Sequence, residues 1–205
     1  MLCDVIHIAS VLQPWLHITS VVFRITSVVC RVVLCAVINV ASHIVAYFQG
    51  ADEFAARVNI EVQYASERTI AAVEKAGGVI TTRFFDLTSV SAMVDPEEHF
   101  RRGRVIPRCK LPPKDGVSYY TDAASRGYLA DLAAILHARV QLSQKYGYSL
   151  PEMVPGSWLD KMLRYRKDPY QIWFGLEPGW SVSLVDRCIL KPTDPGISQY
   201  FSGEN

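Results

Sequence analysis

Between residues 58 and 85 the order of apolar and polar side chains changes period twice. Val58, Ile60 and Val62 alternate with Asn59, Glu61 and Gln63, the two-residue period of a strand with one wet face. Ser66 follows as an N-cap residue, and Glu67 is placed for the positive end of a helix dipole. Ile70 and Val73 then lie three apart on one helical face, with Ala72 and Ala76 beside them and Lys75 in the last turn. Gly77-Gly78 supplies the left-handed residue that stops the helix. Residues 79–85, rich in β-branched and aromatic side chains, read as a second strand. A nucleotide-binding turn puts its glycines before the helix; here they follow it, so they read as a backbone stop rather than a phosphate cradle.

The pattern is weaker elsewhere. Residues 51–57 read as a lead-in with Phe54 as its apolar contact. Residues 86–94 look loop-like, with Leu87, Val90 and Met93 spaced for one weak helical turn before Asp95-Pro96 breaks it. Leu132, Ile135, Leu136, Val140 and Leu142 are helix-spaced, with Gly147 and then Pro151 as stop signals. Ser157 caps a helix over 158–166 that carries Trp158, Met162 and Tyr165 on one face. Residues 171–174 and 180–185 read as short strands around a turn at 177–179, Ile189 and its neighbours suggest another, and the final SQYFSGEN reads as frayed.

Residues 1–49 differ in kind. They are crowded with Val, Ile and Leu, lack Lys and Glu, and carry Asp4 as their one acid. Residues 32–48 form a 17-residue run without Asp, Glu, Lys or Arg, at the short limit for a membrane-crossing helix. A secretory signal fits poorly because the stretch is too long and too β-branched, and a mitochondrial presequence needs more arginine than Arg24 and Arg31. The bias toward residues with uracil at the middle codon position, and a Phe48-Gln49-Gly50 that UUU-CAG-GGN encodes, favour translated non-coding sequence. A membrane anchor and a genuine targeting element are the alternatives. The expected organisation is this segment, a β-α-β core with a basic loop over 50–115, and an extension over 116–205.

The net charge of +1 gives no global sign of nucleic-acid binding, and the part beyond residue 50 balances 19 basic against 19 acidic side chains. Any RNA contact must therefore come from local clusters. One is RRGRVIPRCKLPPK at 101–114, where Arg101, Arg102, Arg104, Arg108, Lys110 and Lys114 share an acid-free span that three prolines and a glycine keep extended. That shape suits threading along phosphates, although a charge run is commonly a solvated loop. A second cluster, Lys161, Arg164, Arg166 and Lys167, lies near a helix C-terminus, where the dipole alone favours cations. Tyr119, Tyr120, Tyr128, Tyr146 and Tyr148 have faces that bases accept, but core and interface packing is the simpler reading.

No constellation for catalysis emerges. Five cysteines without C-x-x-C spacing argue against a disulfide framework or zinc site and for a reducing compartment. Cys109 lies between Arg108 and Lys110, which would lower a thiol pKa, yet it lacks a base partner. His99 reads as solvated and His137 as a helix-surface side chain. No enzyme, cofactor or metal is expected.

The string VNIEVQYASERTIAAVEKAGGVI at 58–80 resembles the C-terminal domain of the large-subunit ribosomal protein fifteen (universal L-fifteen) family, where the Ala-Ser helix start and Glu-Lys-Ala-Gly-Gly close recur. LPPKDGVSYYTDAASRGYLAD, ARVQLSQKYGY, RKDPYQIWFGLEPGW and CILKPTD, in that order, resemble its mitochondrial, metazoan-type branch, so the likeness spans about residues 50 to 198. The resemblance implies a mixed α/β fold, an irregular β-α-β domain of the L-fifteen/L-eighteen-e type, with a C-terminal helix and short-strand extension. It also implies a structural, non-enzymatic role in the mitochondrial matrix, in the large ribosomal subunit, with large-subunit rRNA and neighbouring mitochondrial ribosomal proteins as partners. A membrane becomes a partner only if residues 1–49 are genuine. The family's Gly-, Arg- and Lys-rich N-terminal half has no counterpart here. A membrane-tethered or orphan interaction module is therefore the main alternative, and a general single-strand RNA binder a third reading.

Overall fold

The computed structural model describes residues 6–7, 35–40, 43–48 and 54–202, with side chains from 54 to 201. Its strands are β1 (Ile6–His7), β2 (Cys35–Val40), β3 (His43–Phe48), β4 (Asn59–Val62), β5 (Tyr64–Ala65), β6 (Val79–Thr82), β7 (Ser181–Ser183) and β8 (Cys188–Leu190). Its helices are α1 (Glu67–Lys75), α2 (Leu87–Val94), α3 (Pro96–Arg101), α4 (Lys114–Thr121), α5 (Leu132–Tyr146), α6 (Trp158–Arg164) and α7 (Pro195–Ser202). This is the mixed α/β class expected. The chain forms two compact units: a body of Val29–Phe85 with Leu111–Arg166, and a second unit of Met1–Val28, Asp86–Lys110 and Lys167–Asn205.

In the body, β4 and β6 pair in parallel from Asn59↔Val79 to Val62↔Thr82, with α1 as the crossover between them. The Ser66 hydroxyl accepts from the Thr69 amide at 3.2 Å, which satisfies one of the donors a helix start leaves open. The two glycines perform different tasks. Gly77 has φ +80°, the left-handed stop, whereas a Cβ on Gly78 would lie 2.6 Å from the Val58 carbonyl oxygen. That close approach lets the Val79 amide donate to the same carbonyl at 2.8 Å and sets the parallel register. The strand read over 79–85 stops at Thr82, whose backbone exchanges hydrogen bonds with Arg126 and Tyr128, both at 3.0 Å.

The core buries Val62, Ala65, Ile70, Ala71, Val73, Ile80 and Leu142, with Phe54, Val58, Ile60 and Tyr148 packed against it. A second cluster joins Val79, Leu159 and Leu163 with Leu132, Leu136, Trp158 and Met162 from α5 and α6. Helix α5 is capped by the Asp131 carboxylate and ends at Gly147 in the left-handed region, as its spacing predicts. Helix α6 ends at Arg164, two residues short of the expected 166, because Tyr165 adopts an extended conformation. The sheet order β2-β3-β5 completes the body: β2 and β3 are antiparallel, and β3 runs parallel to β5. Within the candidate membrane-crossing run 32–48, residues 35–40 and 43–48 form the antiparallel strands β2 and β3 instead of a helix, while most of the candidate non-coding segment 1–49 lies outside the described residues. Among the described residues no helix is long and apolar enough to cross a membrane.

The second unit corrects several expectations. Residues 87–94 form a full helix rather than a loop, because Ser89, Val90 and Ala92 are buried and Asp86 accepts hydrogen bonds from the Thr88 and Ser89 hydroxyls. Residues 171–174 are no strand; Trp173 makes only an isolated bridge with Leu176. β7 and β8 pair antiparallel, with β1 on the other edge of β8. The tail at 195–202 is helical rather than frayed, and Phe201 packs directly over Gly179. His99 is only half-solvated, with its ring 5.5 Å from that of Phe100 and 6.4 Å from that of Trp173.

One arrangement in the body has no signature in the hydrophobic pattern. Glu74, 0% exposed on α1, receives Arg126 Nε at 2.7 Å and Arg126 Nη2 at 3.1 Å on its two carboxylate oxygens. Arg139 Nη1 donates at 3.2 Å and the Tyr148 hydroxyl at 3.1 Å. Arg126 spends its remaining donors on the carbonyls of Ala123, Ala124 and Ala138. Its φ of 60° is left-handed, a backbone strain of about 1 kcal/mol or more that the bidentate pair holds in place.

Removing one member of such a pair strands a charge in low dielectric. Glu74→Gln is expected to lower unfolding stability by about 3–5 kcal/mol, read from the urea midpoint, whereas Tyr148→Phe costs about 1 kcal/mol. A second expectation concerns alkaline pH. Burial, then the neighbouring Tyr119, pushes the Tyr120 phenol from its ordinary 10.0 up to about 12. The unfolded phenol ionises first, so this contribution is full below pH 10 and is lost by about pH 12. Phenolate absorbance should show Tyr120 titrating together with unfolding, and Tyr120→Phe should remove that component.

Candidate nucleic-acid interface

The ten cations of the two clusters do not form one population. Arg101, Arg102, Arg104, Arg108, Lys110 and Lys167 belong to the second unit, and Lys114, Lys161, Arg164 and Arg166 to the body. Arg101 and Lys114 are helical and Arg102–Gly103 form a turn, so only residues 104–113 keep the expected extended form.

Several of these charges are already matched internally. On α3, Arg101 pairs with Glu97 and, at 3.2 Å, with Glu98; Arg102 Nε meets Glu98 at 2.7 Å. The acids stand one turn ahead of their partners, a spacing legible in the string PEEHFRR but missed by reading 101–114 as a span without acids. Arg164 donates to Asp160, and Arg166 Nη1 donates to the Ala130 carbonyl at 2.6 Å. Lys167 Nζ donates to the Ile172 carbonyl at 2.9 Å and lies 5.5 Å from the centre of the Phe174 ring. Such exposed helical pairs add little stability, yet each lowers the positive charge on offer to a ligand.

The remaining cations are arranged differently. Arg104, Lys110, Lys114 and Lys161 are exposed, and no side-chain partner faces them among the described residues. Arg108 is half-buried, with its guanidinium carbon 3.9 Å from the centre of the Tyr170 ring. The backbone beneath them is anchored. The Ile106 amide donates to the Trp180 carbonyl at 2.8 Å, the Gly179 amide to the Ile106 carbonyl at 2.8 Å, and the Cys109 amide to the Tyr170 carbonyl at 3.0 Å. Ile106 and Cys109, 0% and 1% exposed, are the plugs that hold the strip on its unit. The Lys110 amide donates at 3.3 Å to Asp86. Burial raises the pKa of that carboxyl, but hydrogen bonds from Ser89, Thr88 and Lys110 outweigh it and hold the group below its usual range.

The tyrosines mainly serve packing. Tyr120 and Tyr128 are buried, Tyr148 is held by Glu74, and Tyr119 stacks on Tyr64 at 5.3 Å with 17° between the ring planes. The Tyr120 hydroxyl donates to the Gln63 carbonyl at 3.1 Å. Tyr146 alone of the five is exposed. The aromatic that the sequence reading did not single out is Tyr170, although it stands in a stretch already noted, RKDPYQIWFGLEPGW.

Cys109 and Cys188 are buried outside any disulfide, and His137 pairs with Gln141 on the helix surface. Among the described residues no three His, Cys, Asp or Glu side chains come together as a metal-holding group.

Against known proteins, the chain is 50% identical over 153 residues to the large ribosomal subunit protein uL15m of Danio rerio, covering 75% of this chain and 51% of that protein. Over 79 residues it is 35% identical to the large ribosomal subunit protein uL15m of Schizosaccharomyces pombe, covering 38% of this chain and 30% of that protein. The chain thus spans about half the length, or less, of these curated relatives. No family profile matches it.

The Arg164–Asp160 contact yields a direct check. The Arg164 hydrogen bond, then that from the Gly156 amide, holds the Asp160 carboxyl below its ordinary 3.8. Carbon-detected NMR titration should therefore find its midpoint below 3.8, and Arg164→Ala should move it upward. The stabilising effect is present above the ordinary carboxylate pKa and is lost as pH falls through the depressed one.

Proposed function

Since the chain belongs to the uL15m family of mitochondrial large-subunit ribosomal proteins, we propose that it is a structural constituent of the large subunit of the mitochondrial ribosome, in the matrix. The observation that carries this reading is the extent of the likeness: half of the aligned residues are identical over three-quarters of the chain. Its partners are large-subunit rRNA and neighbouring ribosomal proteins, and its action is to fix shape rather than to transform a substrate. Cations on the anchored strip replace counterions along phosphates, while the packed units supply rigid surfaces. This fits a chain whose charges balance overall. In such a chain, attraction to nucleic acid is local and directional, not a general affinity for polyanions.

The test is sedimentation of the tagged chain from mitochondrial lysate. Co-migration with large subunits, retained at physiological salt, is the expected result. Recovery in alkali-resistant membranes and absence from the ribosomal fractions would instead support a membrane-tethered module and end the ribosomal reading. Binding to arbitrary RNA with steep salt dependence would mark a general single-strand binder.

A further inference from the structure

The cations of the 101–110 stretch differ in what they have left to give, and the difference singles out one residue. Arg101 and Arg102 are neutralised by Glu97 and Glu98. Among the described residues no carboxylate pairs with Arg108, and its guanidinium carbon lies 3.9 Å from the centre of the Tyr170 ring. Its Nε is buried, with no hydrogen-bond partner among the described residues. Being shielded from solvent, that Nε cannot meet an outside oxygen, so any fork offered to a ligand is made by the terminal Nη1 and Nη2 groups.

The geometry points to Arg108, backed by Tyr170, as a preformed fork for a phosphodiester of the ribosomal RNA. This inference rests on the ribosomal reading above and sharpens it. Guanidinium is planar, and stacking one face on an aromatic ring leaves the edge N–H groups free for the two oxygens of a phosphate. Arginine otherwise loses much rotamer freedom on binding. Here the Tyr170 ring has already taken it, and the backbone is pinned on both sides by the Ile106 and Cys109 hydrogen bonds. Arg104 and Lys110, exposed on the same strip, add attraction without the fork. Lys191 over Trp180 at 4.4 Å is a second aromatic-backed cation in this unit, and the Trp180 carbonyl is the one that anchors Ile106. An ammonium, however, is a point charge and gives no bidentate geometry.

The experiment uses the full chain and an in vitro transcript of mitochondrial large-subunit rRNA, with affinity measured across a salt series. Every comparison keeps net charge constant, so counterion release is the same throughout. Arg108→Lys should bind about ten-fold more weakly with an unchanged salt slope, because the charge stays and the planar fork goes. Tyr170→Leu should weaken binding similarly, and Tyr170→Phe should bind like the parent. Replacing Glu97, Glu98, Arg101 and Arg102 together by Gln should change affinity by less than about two-fold, since those charges cancel. Circular dichroism and the thermal midpoint show that each variant is folded. Arg108→Lys binding within two-fold of the parent overturns the fork while leaving the ribosomal reading standing. A parent chain that neither binds the transcript nor sediments with large subunits overturns both. Intact transcript binding by Arg108→Lys with lost subunit association would give Arg108 to an acidic protein partner, which also overturns the phosphate assignment.

Discussion

Glu74 is the point on which the body turns. A carboxylate with no exposure is tolerable only with its charge matched and its lone pairs occupied, and both conditions are met from distant parts of the chain. Arg126 and Tyr148 are 52 and 74 residues away, and Arg139 is 65. An apolar cluster of equal volume would hold the body together as well or better, since desolvating ions is costly. What the ionic cluster adds is selectivity among arrangements. Helix α1, the loop carrying Arg126, helix α5 and the segment after it must all be in place before any one of these charges is satisfied.

The same cluster explains why the β-α-β unit is followed by so much chain. Strand, helix and strand bury one face of α1, but Glu74 lies on a face that the unit alone would leave needing a cation. The residues that supply cations begin only past Leu111, so the local β-α-β unit and the downstream segment fold as one body. Folding of this body therefore waits on long-range contacts, which carry a larger loop-closure cost than the local crossover does.

Local structure was largely legible in the sequence. The two-residue alternation at 58–63, the Ser66 cap, the Gly77 stop, the helix over 132–146 and its Gly147 terminus all follow from period and end chemistry, which act within a few residues. Residues 86–94 and the C-terminal tail were not legible, because their helicity depends on what they pack against. Side-chain roles were the hardest to see. Glu74 and Arg126 look like surface charges in any linear reading, Arg83 is 1% exposed despite its type, and charge counting over 101–114 stops just short of the acids that cancel its first two arginines. Cations with partners and cations without are indistinguishable until the fold pairs them, so the strip that bears Arg108 emerges only by subtraction.

The buried cluster holds one anion against two cations. Its surplus of one positive charge sits where dissolved ions cannot enter, so added salt cannot quench it at its source as it quenches charges on the surface. The cluster therefore holds a net positive charge that a count of exposed lysines and arginines would overlook.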